Sequence, residues 1–111
     1  MSESIGAFEE LVLLMVAVLH GEAYAVAIRD ELATRAERKV HISAVHSCLN
    51  RLEKKGFVLS EMGQPTAERG GRRKRMFTIT GAGKTTLQDA RSVREAAWRQ
   101  IPASVWQMSV G

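Results

Sequence analysis

One stretch, Ser43 to Lys55 (S-A-V-H-S-C-L-N-R-L-E-K-K), constrains the fold more than any other part of the chain. Val45, Cys48, Leu49 and Leu52 recur at i, i+3, i+4 and i+7, the spacing that lines one face of an α-helix. The opposite face carries His46, Ser47, Asn50, Arg51 and Lys54. Ser43 can N-cap the helix by accepting a hydrogen bond from an orphan backbone N–H. Lys54 and Lys55 suit the negative end of its dipole, and Gly56 suits the position just past its end. A helix with so one-sided a stripe must bury it, so the flanking segments have to supply a core.

Phe57 to Met62 reads as a strand and Lys74 to Thr80 as its partner. Gly63, Pro65, Gly70 and Gly71 mark a long hairpin loop between them. Its second half, Glu68 to Arg75 (E-R-G-G-R-R-K-R), sets Arg69, Arg72, Arg73, Lys74 and Arg75 against the single Glu68. Upstream, Ala7 to His20 carries Phe8, Leu11, Val12, Leu14, Met15, Val18 and Leu19, a helix apolar over most of its circumference and stopped at Gly21. Such a helix is either central to the core or shared with a second subunit. Glu22 to Arg38 places Tyr24, Ile28 and Leu32 at i, i+4 and i+8, an amphipathic second helix, and residues 39–42 have room for no more than a β-bridge. Thr80 can cap a last helix from Gly81, with Leu87, Ala90, Val93, Ala97 and Ile101 at helical spacing and a break at Pro102. The order is helix, helix, helix, strand, basic loop, strand, helix. That is a mainly α chain with a small β-hairpin, a winged helix-turn-helix with one helix appended. The reading divides it into residues 1–80, the winged unit, and 81–111, the appended helix and tail, packed as one compact unit.

The net charge of +4 and pI near 9.7 suit a polyanionic partner, and the position of the charge matters more than its total. The lone Cys48 forms no intrachain disulfide, which suits a reducing compartment. The start, Met1-Ser2-Glu3-Ser4, is acidic where an export signal is basic, and the apolar run Leu11 to Leu19 is about half of a membrane span. The expectation is a soluble cytoplasmic protein with no membrane partner.

These residues resemble the PadR family of bacterial transcription regulators, its short members above all, from about Phe8 to Trp98. The matching pieces are F-E-E-L-V-L-L, A-Y-A-V-A-I-R, K-V-H-I-S-A-V-H-S-C-L-N-R-L-E-K-K-G-F-V and G-Q-P-T-A-E-R-G-G-R-R-K-R-M-F-T-I-T-G-A-G. Three departures stand out: His46 where the family has tyrosine, Met76-Phe77 where it has an aromatic pair, and Tyr24-Ala25 where it prefers Tyr-Gly. His46 puts an imidazole, and with it pH dependence near neutrality, at a position associated with phosphate or groove contact. The resemblance implies a homodimer joined through the last helix with help from the first. Phe8, Leu11, Met15, Leu87, Ala90, Ala97, Trp98 and Ile101 are the residues expected at that interface. It also implies a planar aromatic effector there, with Trp98 as its contact.

The functional expectation is a homodimeric repressor binding double-stranded DNA at a palindromic operator. Asn50 and Arg51 have side chains able to read base edges, and Ser47 and Lys54 suit phosphates. Ser43 and His46 complete the helical contribution, and Arg69, Arg72, Arg73, Lys74 and Arg75 that of the wing, where arginines enter a minor groove or clasp phosphates. Any surface helix has a polar face; its place directly before a basic hairpin is what turns the reading toward DNA. The rival reading is a winged-helix module that binds proteins without sequence-specific DNA recognition.

No serine, histidine and acid grouping or carboxylate pair supports catalysis, and no cofactor is implied. Gly81-Ala82-Gly83-Lys84-Thr85 opens a helix after a strand, but the phosphate-loop pattern needs glycine where Thr78 stands, so a helix cap is the better reading. His20, His41 and His46 lack metal-ligand spacing, and Cys48 sits on the apolar stripe, where a small buried hydrophobe is the ordinary explanation ahead of a redox sensor. Trp98 and Trp106 lie outside the winged core and are expected to bury against a second subunit.

Overall fold

The computed structural model describes residues 4–65 and 73–108. Five helices and a two-stranded antiparallel sheet follow in the order α1 (Ala7–Val18), α2 (Ala25–Arg35), α3 (Ile42–Lys54), β1 (Val58–Pro65), β2 (Arg73–Ile79), α4 (Gly81–Gln100) and α5 (Ala103–Trp106). The mainly α chain with a β-hairpin expected from the sequence is the fold observed. Its core is the junction of the first three helices with the hairpin root. Val12, Leu13, Met15 and Val16 of α1 meet Ile28 and Leu32 of α2, the whole stripe Val45, Cys48, Leu49 and Leu52 of α3, and Phe57, Val58 and Phe77. Burying one such large aliphatic or aromatic side chain is worth about 1.5–3 kcal/mol, so the α3 stripe alone commits the helix to this packing.

Both ends of α2 and the start of α3 differ from the sequence expectation. α2 is shorter at both ends: Tyr24 is its N-cap, and Glu37 adopts a left-handed backbone (φ 51°) just after Ala36, ending the helix. α3 is capped by His41, not by Ser43. Ile42 is already helical, so Ser43 falls within the first turn; its N–H donates to His41 Nδ1 at 3.2 Å, and its hydroxyl lies 2.8 Å from the same nitrogen.

The far end of α3 closes as the sequence suggests. Gly56 has φ +80°, its N–H donates to Glu53 O, and Phe57 N–H donates to Leu52 O. This paired bonding satisfies two orphan carbonyls and turns the chain into β1. The strands pair from Val58 opposite Ile79 to Met62 opposite Arg75, with an irregularity before Pro65. Phe77 N–H also donates to Ala23 O at 2.8 Å, tying the hairpin to the turn between α1 and α2.

α4 begins against this same corner. Thr80 N–H donates to Phe57 O, Thr80 Oγ1 donates to Gly56 O at 2.7 Å and accepts from Gly83 N–H at 3.0 Å. A Cβ at Gly83 would lie 2.3 Å from Phe57 O, so only glycine fits there. Gly83 serves close packing against the chain itself, where a phosphate loop would face a ligand, while Gly81 has open space around it. Beyond Ala90 every residue of α4 is exposed, and the helix projects from the body. The radius of gyration is 17.0 Å, against about 13 Å for a compact chain of this length. No helix among the described residues is long and apolar enough to cross a membrane.

Candidate nucleic-acid interface

Burial of the α3 stripe fixes what the helix shows to solvent. At 100° per residue, Ser43, Ser47, Asn50 and Lys54 point most nearly away from the core, with His46 and Arg51 on opposite flanks. All six are exposed. His46 and Asn50 border an open cleft of about 250 Å³ whose other walls are Tyr24, Ala25 and Val26 at the start of α2 and Arg73, Lys74, Arg75 and Phe77 of β2. The recognition-helix residues and the first strand cations of the wing thus share one cleft.

The cations of this surface are in different states. Lys54 forms no hydrogen bond or ion pair among the described residues. Lys74 Nζ lies 4.1 Å from the centroid of the Tyr24 ring, a cation–π contact that parks the ammonium beside the cleft. Arg73 Nε donates to Gly63 O across the hairpin at 3.0 Å. Arg75 is turned inward: its Nε donates to Ser60 Oγ at 3.0 Å and its Nη2 to Glu53 Oε1 at 3.3 Å. Arg69 and Arg72, with Glu68, Gly70 and Gly71, lie outside the described residues.

Arg51 is placed differently from the expectation that made it a base reader. Its Nε is 3.4 Å from Glu9 Oε2 at the start of α1, on the flank away from the cleft. The approach has the distance of an ion pair but not the alignment of a hydrogen bond, which leaves Oε2 buried with no hydrogen-bond partner. The other oxygen, Oε1, accepts from Gly6 N–H at 2.8 Å and Lys55 Nζ at 2.9 Å, and Lys55 also reaches Ser4 O. Burial pushes the Glu9 carboxyl upward, but the Gly6 N–H, Lys55 and Arg51 outweigh it and hold the pKa below the ordinary carboxylate value. Cys48, inside the same helix, is fully buried, and burial pushes its thiol up to about 11 against the opposing pull of Arg51. It stays protonated at neutral pH, the inert state of a core cysteine.

Sequence reasoning missed Tyr24 as a wall of the cleft and Glu9 and Glu53 as carboxylates that engage expected DNA contacts. The spacing of Tyr24 with Ile28 and Leu32 groups it with the apolar side of α2; its position just ahead of the helix start is the signal that sets it apart. Glu9 was visible as a charge inside an otherwise apolar helix. Among the described residues, no three His, Cys, Asp or Glu side chains converge as a metal site.

The residues expected at a subunit interface divide into two groups. Phe8, Leu11 and Leu87 are partly buried against the chain's own core, and the Arg38 guanidinium sits 5.2 Å from the Phe8 ring centroid. Met15 is a correction: it is 3% exposed and belongs to the core, leaving Leu14 and Val18 as the outward side of α1. Because α1 is apolar all round, its periodicity does not say which face turns inward. Ala90 and Ile101 are half-buried, while Ala97 and Trp98 are exposed. Trp98 stacks on Trp106, with centroids 5.8 Å apart and an interplanar angle of 12°. Neither ring is covered, at 65% and 63% exposure. Leu14, Leu87 and Trp98 line an open apolar groove of about 390 Å³ between α1 and α4, with Arg91, Arg94, Glu10 and Glu95 among its polar residues.

Three helices, a hairpin and an exposed polar α3 beside it define a winged helix-turn-helix protein. The sequence model of the PadR-like transcriptional regulators matches residues 13–89, and the chain belongs to that family. No curated protein matches the sequence. Solved structures similar to it include a PadR-like transcription factor from Bacteroides fragilis, 25% identical with a TM-score of 0.63, covering 92% of this chain and 89% of that one. A PadR family transcriptional regulator from Eggerthella lenta is 20% identical (TM-score 0.65; 80% and 75% covered). A transcriptional regulator from Clostridium thermocellum is 19% identical (TM-score 0.66; 82% and 85% covered). The family makes this chain a transcriptional regulator.

Proposed function

We propose that the protein is a cytoplasmic, non-enzymatic, homodimeric repressor that binds a palindromic operator in double-stranded DNA. The observation that carries this reading is the cleft in which His46 and Asn50 of α3 face Arg73 and Lys74 of β2. A helix with exposed amide, hydroxyl and amine groups enters a major groove, and a basic hairpin beside it reaches the adjoining backbone. Asn50 is the bidentate base reader, Ser47 and Lys54 hold phosphates, and Arg69 and Arg72, outside the described residues, are wing cations by sequence. Residues 1–80 form the DNA-binding unit, and 81–111 the dimerisation helix and tail. α4 and the outward side of α1 form the two-fold interface, where a planar aromatic effector would stack on Trp98. Two-fold symmetry puts the half-sites about one helical turn apart.

Selection of bound fragments from random duplex DNA at moderate salt tests the reading. The expected result is one reproducible inverted repeat. Retention of fragments without a shared sequence, together with weak binding at physiological salt, would favour a protein-binding winged module instead.

A further inference from the structure

We infer that Glu53 is the positioning residue that fixes the wing against the recognition helix and withdraws Arg75 from the charge offered to a phosphate backbone. The geometry stands by itself; its consequence for DNA rests on the function proposed above. Glu53 lies in the last turn of α3, and its one carboxylate reaches both strands. Oε2 accepts from Ser60 Oγ of β1 at 2.6 Å, and Oε1 accepts from Arg75 Nη2 of β2 at 3.3 Å. Arg75 Nε donates to the same Ser60 hydroxyl at 3.0 Å, closing a triangle in which that hydroxyl both donates and accepts. The sheet register allows it. Ser60 pairs with Phe77, two residues from Arg75, so Ser60 and Arg75 are diagonal neighbours on one face. The guanidinium also rests 5.9 Å from the Phe77 ring centroid, at the edge of the core.

Glu53 and Arg75 side chains are 31% and 56% exposed, so solvent screens the pair. Its main effect is therefore on direction. Three elements, α3 and the two strands of the wing, are tied at one carboxylate. The charge effect is separate: a guanidinium paired to a carboxylate releases no counterion when a duplex arrives.

The test compares wild type with Glu53→Gln, which keeps the side-chain shape, and Arg75→Ala. Amide hydrogen exchange without DNA reads the tether: Glu53→Gln should speed exchange at the Arg73–Arg75 end of β2 by roughly two- to fivefold, the scale of a partly exposed ion pair. Unchanged exchange would overturn the positioning role. Salt titration on a random duplex reads the charge. Arg75→Ala should leave the slope of log K against log salt unchanged, and Glu53→Gln should steepen it by about 0.9 by releasing one cation. A slope that flattens by about 0.9 in Arg75→Ala would overturn the inference, since Arg75 would then contact phosphate itself. If wild type shows no salt-dependent duplex binding, the proposed function fails, while the exchange measurement still decides the tether.

Discussion

The α3–hairpin side and the α4 side of the molecule solve the same problem with different completeness. On the first, the α3 stripe Val45, Cys48, Leu49 and Leu52 is buried, both helix ends are capped, and five cations have partners within the chain: Arg51 and Lys55 with Glu9, Arg73 with Gly63, Lys74 with Tyr24 and Arg75 with Glu53. On the second, Val93 is 71% exposed, Trp98 and Trp106 stack on each other but stay open to solvent, and Leu14 and Val18 of α1 are exposed. The first surface is finished by one chain. The second keeps exposed apolar area, which supports the two-fold interface proposed there. A polar surface meant for a polyanion can be stable alone; an apolar one needs cover.

The largest effect should come from the finished side. Leu49→Ala removes a fully buried side chain at the centre of the α3 stripe and should cost about 2–5 kcal/mol in denaturant unfolding. That loss should be the same at high and low protein concentration. Trp98→Ala should behave in the opposite way. Loss of an interface anchor is worth about 2 kcal/mol or more, expressed as a concentration-dependent shift toward monomer in light scattering. A monomer at all concentrations for both wild type and variant would erase the contrast between the two sides.

Within the finished side, Lys54 and Arg51 should separate although they are three residues apart on one helix. Lys54→Ala should flatten the salt slope of DNA binding by about 0.9, because its ammonium has no partner among the described residues. Arg51→Ala should leave the slope nearly unchanged and lower stability instead, since it leaves Glu9 Oε2 without its nearest cation. Equal slopes for the two variants would remove the distinction drawn between them.

The smallest effect concerns pH. The folded-state pKa of Glu9 is depressed, so its contribution to stability is complete above the unfolded value, about 4.3 for a free glutamate, and is lost as pH falls through the folded one. Glu9→Gln should therefore have a flatter stability profile than wild type below about pH 4. Parallel acid unfolding curves would count against the Gly6–Glu9–Lys55 network as its source.

What was legible in the sequence follows from how each feature is encoded. The α3 stripe, its Gly56 stop, the hairpin and the Thr80 cap are local patterns of a few residues, and all four are observed. Met15 was misplaced because an all-apolar helix carries no contrast between faces. The α3 cap shifted from Ser43 to His41 because two polar residues two positions apart can each accept the first N–H. Arg51 and Arg75 were readable as cations but not as paired ones. Their partners are 42 and 22 residues away, as the numbering of Glu9 and Glu53 shows. Spacing says which side of a helix a charge occupies; only the tertiary fold says which carboxylate meets it there.

The absence of room at Gly83 has a consequence for distance. A helix seated directly on the Phe57 carbonyl leaves the body at a set angle, and its 20 residues carry that angle outward over about 30 Å. A lever of that length converts one degree of tilt at its foot into about 0.5 Å at its tip. In the dimer proposed above, joined along this helix, the spacing between the two α3 helices would therefore be surveyed from a single glycine. An alanine in its place would act as a wedge under the lever and alter which operator lengths the pair can straddle.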